Sequence, residues 1–214
     1  MGFGNVPVSI ESIMKKQVIA AAVLCSLVSG AAFAEQAKDG PWMVRARAVG
    51  LYSANTDSTG LGLSINNKWM PEVDISYFFN KNIAAELILT VPQQHTLTSS
   101  TLGKDIGTVE HLPPTLLVQY HFDSNGGAKP YVGAGINYTR FTRSDILGGA
   151  ATVDKDSWGG ALQVGVDIPL GNKLFLNVDV KKVYLKTGVY VGTAYAGEFR
   201  VDPVLFGVGL GWRF

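Results

Sequence analysis

Charged side chains recur at every second position of several segments that are otherwise apolar, a spacing that places them on one face of a β-strand. The set consists of Arg45, Arg47, Glu72, Asp74, Glu86, Asp167, Asp179, Lys181 and Arg213. Enclosed between strands, four cations would face five carboxylates, and a charge without a partner there would be costly to remove from water. The spacing predicts a network of ion pairs that closes the interior of a barrel, with proton or ion transport as the alternative.

Hydrolytic chemistry is the other possibility that the residue types raise. His95 and His111 lie near the same predicted loop as Ser99 and Ser100, either of which could act as a nucleophile if a histidine accepted its proton. No predicted strand pairs a serine with a histidine at a suitable distance, and histidines in loops are usually solvated. The sequence therefore predicts no enzyme, and a lipid-cleaving barrel is the weaker hypothesis.

A second set of positions with the same facing as the charged residues is apolar. It consists of Val49, Leu51, Met70, Ile88, Leu117, Val183, Leu185 and Leu205. These residues are expected at similar depth on the extracellular side of the charged set, where they form an apolar cup. Ligand pockets are typically concave and apolar with a few polar groups at the edge, so the cup predicts a site for a small hydrophobic molecule. The alternative is that these side chains only pack the tube.

The elements that must position both sets are eight segments of strand length. The predicted strands are Trp42–Tyr52, Trp69–Phe79, Ile83–Val91, Leu112–Phe122, Tyr131–Phe141, Ser157–Ile168, Leu174–Leu185 and Phe199–Phe214. Short connections rich in turn residues alternate with the longer connections Ser53–Lys68, Pro92–His111, Thr142–Asp156 and Lys186–Glu198. This alternation predicts an all-β fold, an eight-stranded antiparallel up-and-down transmembrane β-barrel with long extracellular loops and both termini in the periplasm.

The opposite face of these strands decides between a membrane barrel and a soluble sandwich or lipocalin-like barrel. That face is apolar and uncharged, and the last strand ends in Trp212 and Phe214. Alternation alone fits both architectures, but aromatic residues near the strand ends and an export signal favour the membrane barrel. Eight strands enclose a tube that side chains can fill, so no open channel is expected.

The N-terminal segment predicts the route to the membrane. Lys15 and Lys16 precede an apolar run, and the small-residue site Ala32-Phe33-Ala34 follows it. We expect an upstream extension at residues 1–13, a signal peptide at 14–34 and the barrel domain at 35–214. The run is too short for a membrane helix. The predicted location is the bacterial outer membrane.

Composition limits the partners of the domain. The formal net charge is +1, and no basic cluster lies on a predicted helix, so no nucleic-acid partner is expected. The single cysteine falls in the signal, and no Cys, His and carboxylate cluster has the spacing of metal ligands. We expect no metal and no cofactor. The expected partners are outer-membrane lipid and small hydrophobic molecules, and the expected state is a monomer.

Prolines near the outer rim predict a weak place in the barrel wall. Pro113 and Pro114 face Pro92 across the loop between the third and fourth predicted strands, and each lacks the N–H that completes a strand ladder. A lateral gap at this place would connect the lumen with lipid. Alternatively, these prolines only end strands.

Several longer motifs carry a resemblance to a known family. They are His111–Leu116 with Gln119–Phe122, Lys129–Tyr138, Lys155–Gly159 with Gln163–Asp167, and Asp202-Pro203 before the last strand. On these motifs the chain resembles the outer membrane protein W (OmpW) family from about Trp42 to Phe214.

The resemblance implies an eight-stranded outer-membrane barrel that passively carries small hydrophobic compounds and releases them laterally. Some relatives are encoded with enzymes of alkane and naphthalene degradation. The apolar constriction of the family would involve Ile88 and Lys181 here, and the family favours an aromatic at the second position, so this constriction is more polar. The alternative function is a structural or surface-interaction barrel with a sealed lumen and no transport.

Overall fold

Strands dominate the computed structural model, which describes residues 40–124 and 127–214. The predicted extension and signal peptide, residues 1–34, lie outside the described residues. The strands are β1 (Trp42–Tyr52), β2 (Thr56–Asp57), β3 (Leu63–Ile65), β4 (Lys68–Phe78), β5 (Ile83–Thr90), β6 (Gln93–Ser99), β7 (Lys104–Leu112), β8 (Thr115–His121), β9 (Lys129–Ile146), β10 (Ala151–Val153), β11 (Asp156–Gly171), β12 (Leu174–Val183), β13 (Lys186–Val191), β14 (Ala194–Arg200) and β15 (Val204–Arg213). A single 3₁₀ turn, Leu147–Gly149, is the only helical element in the described ranges. No helix there is long and apolar enough to cross a bilayer.

Eight of the strands close into a barrel. The order β1, β4, β5, β8, β9, β11, β12, β15 follows the chain, each strand is antiparallel to its neighbours, and β15 returns to β1. The first and last strands meet through Met43–Arg213 at one end and Tyr52–Val204 at the other. This strand order confirms the eight-stranded prediction. The prediction succeeds because side chains alternate along each segment, so that one face of every barrel strand points toward the lumen.

The predicted starts of two strands are wrong, and proline explains both. Leu112 belongs to β7, and the barrel strand β8 begins only at Thr115, after Pro113-Pro114. Phe199 belongs to β14, and β15 begins at Val204, after Asp202-Pro203. Proline has no N–H for the ladder, so each predicted strand divides into an extracellular piece and a barrel piece.

The long connections are not irregular loops but continue the sheet beyond the membrane. The strands β3, β6, β7, β9, β10, β13, β14 and β2 are hydrogen-bonded in this order, and β9 runs from the barrel into this part. We call these strands, with the upper part of β9, the extracellular extension. The Asp57 carboxylate accepts the N–H groups of Gly62 and Leu63, which links β2 to β3. Burial raises the pKa of Asp57, but hydrogen bonds led by Thr59 lower it below its usual value.

The outer surface of the barrel is apolar and banded by aromatic rings. At the end where β1 begins and β15 finishes, Trp42 and Tyr77 are in edge contact at 4.8 Å. At the other end, Tyr138 and Trp158 are also 4.8 Å apart, and 64% of Trp158 is exposed. Paired aromatics at both ends of an apolar band are the girdles of an outer-membrane barrel, as the aromatic positions at the strand ends predicted.

Glycines on the inner face leave room for the polar side chains of the lumen. A Cβ at Gly207 would lie 2.1 Å from Asp179 Oδ1, and one at Gly165 would lie 2.4 Å from the ring of Tyr131. Side chains at these positions would displace the buried carboxylate or the ring. Gly165 in β11 and Gly207 in β15 therefore provide interior space for the polar side chains.

Candidate functional site

Residue type changes with height along the inner face of the barrel. In β1, Arg45 and Arg47 are followed by Val49 and Leu51, and in β5, Glu86 is followed by Ile88. All of these side chains are buried. The structure thus divides the lumen into a charged half, near the start of β1 and the end of β15, and an apolar half near the extracellular extension.

Arg45 organises the lower part of the charged half. Its Nε and Nη2 bind both oxygens of Asp167 at 3.2 and 2.8 Å, and its Nη1 lies 3.0 Å from Asp74 Oδ1 and 3.3 Å from Glu86 Oε1. The arginine side chain has no solvent exposure. A fully buried guanidinium needs this many acceptors, because a charge without partners would be expensive in the barrel interior.

Arg47 and Lys181 extend the network upward. Arg47 contacts Glu72 at 3.0 Å, Asp74 at 2.6 Å and Asp179 at 3.1 Å. Lys181 Nζ donates to Glu72 Oε1 at 2.6 Å and to Asp179 Oδ2 at 3.0 Å. Eight of the nine charged residues singled out in the sequence are therefore joined in one contiguous cluster, which we call the network. Its members are Arg45, Arg47, Glu72, Asp74, Glu86, Asp167, Asp179 and Lys181.

Amide side chains fill the spaces between the charges. Gln119 Nε2 donates to Glu86 Oε2 and to Gln163 Oε1, both at 2.8 Å, and Gln163 Nε2 donates to Asp179 Oδ2 at 2.8 Å. The contacts described for the ninth charged residue, Arg213, are of another kind: its guanidinium stacks 3.7 Å from the centre of the Phe78 ring and its Nε donates to the Gly40 carbonyl. Side chains thus occupy the charged half of the lumen.

An apolar cavity lies directly above the network. We call it the lower cavity; its lining residues are Leu51, Met70, Glu72, Ile88, Thr90, His111, Pro113, Thr115, Asn137, Lys181, Val183, Leu185, Val201, Pro203 and Leu205. The volume of this cavity is about 40 Å³. Since one water needs about 10–15 Å³, a ligand larger than a few waters must displace side chains as it enters.

The structure brings the eight predicted apolar residues into a single buried cluster. Six of them line the lower cavity, while Val49 and Leu117 pack behind its wall. Sequence reasoning missed Thr90, His111, Val201 and other lining residues. Thr90 and Val201 have inward facing in the predicted strands, so facing alone could have found them; they were passed over because one is polar and the other lies near a strand end.

The two histidines were predicted to be solvated, and this is wrong. His95 and His111 are 1% and 5% exposed, and their rings stack with centres 5.0 Å apart. The extracellular extension encloses them, an arrangement that depends on strand pairings between distant connections. Ser99 Oγ donates to the Leu61 carbonyl. Burial lowers the pKa of His111 to about 3, and nearby His95 and Lys68 add to this effect.

A second apolar cavity lies within the extracellular extension. We call it the upper cavity; it is lined by Leu63, Ile65, Leu97, Val109, Phe141, Val153, Thr187, Val189, Phe199 and Val201. Val201 lines both cavities. The two apolar cavities are therefore neighbours that share Val201 as a wall residue.

The wall of the lower cavity contains a break in the strand ladder. The last pair of β5 and β8 is Ile88–Thr115, and pairing resumes at Gln93–His111 between β6 and β7. Between these pairs, residues 89–92 and 112–114 do not pair with each other, although Leu89 and Thr90 still pair with β4 and Leu112 still pairs with β9; we call this interruption of the β5–β8 ladder the ladder break. Pro113 and Pro114 lie in it, and the first of them lines the cavity. The break coincides with the predicted weak place.

The chain belongs to the OmpW family. The family's sequence model matches residues 38–214. Outer membrane protein W of Escherichia coli is 34% identical over 94% of this chain and 100% of that protein. An uncharacterized outer-membrane protein, y4mB of Sinorhizobium fredii, is 40% identical over 81% of this chain and 80% of that protein. This protein is thus an outer-membrane barrel protein of the OmpW family.

Solved structures agree with this assignment. The solution structure of the Escherichia coli protein W superposes with a TM-score of 0.64 at 31% identity, covering 85% of this chain and all of that one. The crystal structure of OprG from Pseudomonas aeruginosa gives a TM-score of 0.72 at 22% identity, covering 84% of this chain and 98% of that one.

A further sequence relative, the dibenzothiophene metabolism operon protein PahQ of Pseudomonas aeruginosa, is 31% identical over 66% of this chain and 69% of that protein.

Proposed function

We propose that the protein binds small hydrophobic molecules in the lower cavity and passes them passively across the outer membrane, with release through the ladder break into lipid. The observation that carries this proposal is the position of the cavity. It is apolar, it lies above a network that occupies the lumen, and its wall includes Pro113 at the place where the strand pairing stops.

The proposed route follows from the groups that surround the lower cavity in each direction. Toward the periplasm the path meets buried ion pairs such as Arg45–Asp167, which an apolar molecule cannot replace. Toward the extension it meets the upper cavity, which has apolar walls. Sideways it meets the ladder break, where residues 89–92 and 112–114 have no ladder bonds between them. The dibenzothiophene in the name of one relative is itself an apolar ring compound, which agrees with a cargo of this type.

Uptake by whole cells tests the proposal. A Gram-negative host without its own family member is compared with the same host that expresses this protein, and the initial uptake of labelled n-dodecane is measured. We expect Leu51→Lys to reduce uptake to the level of cells without the protein, because an ammonium in the lower cavity is incompatible with an apolar cargo.

The matched control is Leu102→Lys, the same substitution at an exposed position of the extension. Heat-modifiable migration on gels confirms that each barrel has folded. A folded Leu51→Lys barrel that takes up dodecane as fast as the wild type would contradict the proposal.

One observation favours a second function, a surface-interaction barrel without transport. The network and its amide partners occupy the charged half of the lumen, and the extension presents seven additional strands outside the membrane. Under this function, cells with and without the wild-type protein take up dodecane equally.

A further inference from the structure

We propose that the preferred cargo is an apolar molecule with one hydroxyl group, and that Thr90, Glu72 and Lys181 bind this hydroxyl at the bottom of the lower cavity. The inference rests on the proposed function and adds the chemical class of the cargo. All three side chains line the cavity. These side chains can form more hydrogen bonds than they do within the described residues. A ligand that binds here must supply partners for the remaining donors and acceptors.

Thr90 provides a hydroxyl without a partner. Its Oγ1 is buried, and no hydrogen bond to it exists within the described residues. Thr90 is directly opposite Glu72 in the β4–β5 ladder, so both side chains have the same inward facing. A buried hydroxyl with no partner loses the hydrogen bonds that water would give it, and a ligand at this place restores one.

Glu72 and Lys181 provide an acceptor and a donor beside it. The contacts of Glu72 with Arg47 and Lys181 both use Oε1, which leaves Oε2 for another donor. An ammonium has three N–H donors, and the ammonium of Lys181 uses two of them, for Glu72 and Asp179. One acceptor, one donor and one hydroxyl therefore meet at the same level.

A neutral hydroxyl matches this set better than other head groups do. It accepts from Lys181 and donates to Glu72 at the same time, because a hydroxyl has one donor and two lone pairs. A carboxylate cannot donate to Glu72, and it would add to a network with five carboxylates and three cations. An ammonium cannot accept from Lys181 and is repelled by it. A plain hydrocarbon forms no hydrogen bond with any of the three side chains.

The apolar part of such a molecule has a defined direction. Above the three polar residues the wall consists of Leu51, Val183, Leu185 and other apolar side chains up to Val201. The hydroxyl thus points toward the network and the tail toward the extracellular extension.

The test measures uptake of three labelled probes with the same chain length, n-dodecane, 1-dodecanol and dodecanoate, by cells that express the wild type, Thr90→Val or Thr187→Val. Thr90→Val keeps the shape of the side chain and removes the hydroxyl. Thr187→Val is the same change in the upper cavity. Uptake by cells without the protein is subtracted.

We expect the wild type to favour 1-dodecanol over both other probes, and Thr90→Val to reduce the ratio of 1-dodecanol to n-dodecane uptake by about two- to tenfold, the value of one neutral hydrogen bond. Thr187→Val should keep the wild-type ratio. Equal uptake of dodecanol and dodecane by the wild type, or an unchanged ratio in Thr90→Val, would overturn the inference and leave the proposed function standing. Absence of protein-dependent uptake for every probe would instead reject the proposed function.

Discussion

The charged and apolar halves of the lumen are built on the same strands, but they contain opposite kinds of side chain. In β12, Asp179 and Lys181 belong to the network, and Val183, the next inward residue, lines the lower cavity. In β4, Asp74 and Glu72 are followed in space by Met70. The same eight strands run through both halves, so the barrel wall supplies the shape while the inward side chains decide whether a level is closed or can hold a ligand.

The largest effect is expected from a substitution that disrupts the ion pairs of the charged half. Arg45→Met removes the cation that binds Asp167, Asp74 and Glu86 and leaves their charges buried. We expect a loss of about 3–5 kcal/mol in the free energy of unfolding, the usual cost of removing one partner of a buried ion pair. Denaturant unfolding of the purified barrel in detergent measures it.

Arg140→Met is the matched control, because Arg140 is an exposed residue of β9. It should change the unfolding free energy by less than about 0.5 kcal/mol. If both variants unfold alike, the network is not what stabilises the charged half.

Acid pH should loosen the extracellular extension and leave the barrel unchanged. The folded pKa of His111, about 3, lies below the value near 6.5 of an unfolded histidine, so the closed form binds fewer protons. The contribution of neutral His111 to the stability of the extension is fully present above about pH 6.5. It falls, by at most about 1.4 kcal/mol per pH unit, as the pH drops toward the folded pKa. Burial also lowers the pKa of His95.

Hydrogen exchange, corrected for intrinsic rates, measures this effect. Between pH 7.5 and 5, amides of β6 and β7 should lose protection, whereas those of β1 and β15 should keep it. His111→Gln should remove much of the difference between the two pH values. Uniform loss of protection in the extension and the barrel would contradict the prediction.

Restoring ladder donors at the break should slow the apolar route. Pro113→Val combined with Pro114→Val supplies two N–H groups where β8 begins, and we expect β5 and β8 to pair further. Uptake of n-dodecane should fall by about three- to tenfold, equivalent to about 0.6–1.4 kcal/mol of closure. Pro71→Val, at a proline already opposite Ala48 in the β1–β4 ladder, is the control and should have wild-type uptake. Undiminished uptake by the double variant would place the exit elsewhere.

The smallest effect is expected where an ion pair lies in water. Lys81 and Asp123 are 3.3 Å apart at the periplasmic turns, and their side chains are 63% and 69% exposed. Lys81→Met should cost no more than about 1 kcal/mol in the same unfolding measurement. A larger loss would mean that burial does not explain the difference between this pair and the network.

Facing along the strands is the part of the structure that the sequence predicts well. A slip of one residue would move Arg45 and Arg47 into lipid, so the alternation determines the register of each barrel strand. The same alternation identified the network and the apolar residues of the lower cavity. Arg213 has the right facing, but height within the lumen is set by strand stagger, and this residue lies against Phe78 instead.

Pairing between the long connections is the part that the sequence does not predict. β6 and β7 are polar strands, and their partners β3 and β9 lie far away in the chain. Their alternation is weak because the extension has water rather than lipid outside it. The burial of His95 and His111 depends on those pairings, which is why local composition made them look solvated.

The hydrogen-bonded pairs Ile88–Thr115 and Gln93–His111 bracket the interruption in the wall from below and above. An aperture framed at both ends has a fixed circumference, whereas a slit that reached the rim could widen for any molecule. Four residues lie between Ile88 and Gln93, so the five steps of extended chain make the frame at most about 17 Å tall. Under the proposed lateral release, such a frame selects molecules by girth rather than by length, and we expect straight chains and flat rings to pass while bulky cages are retained.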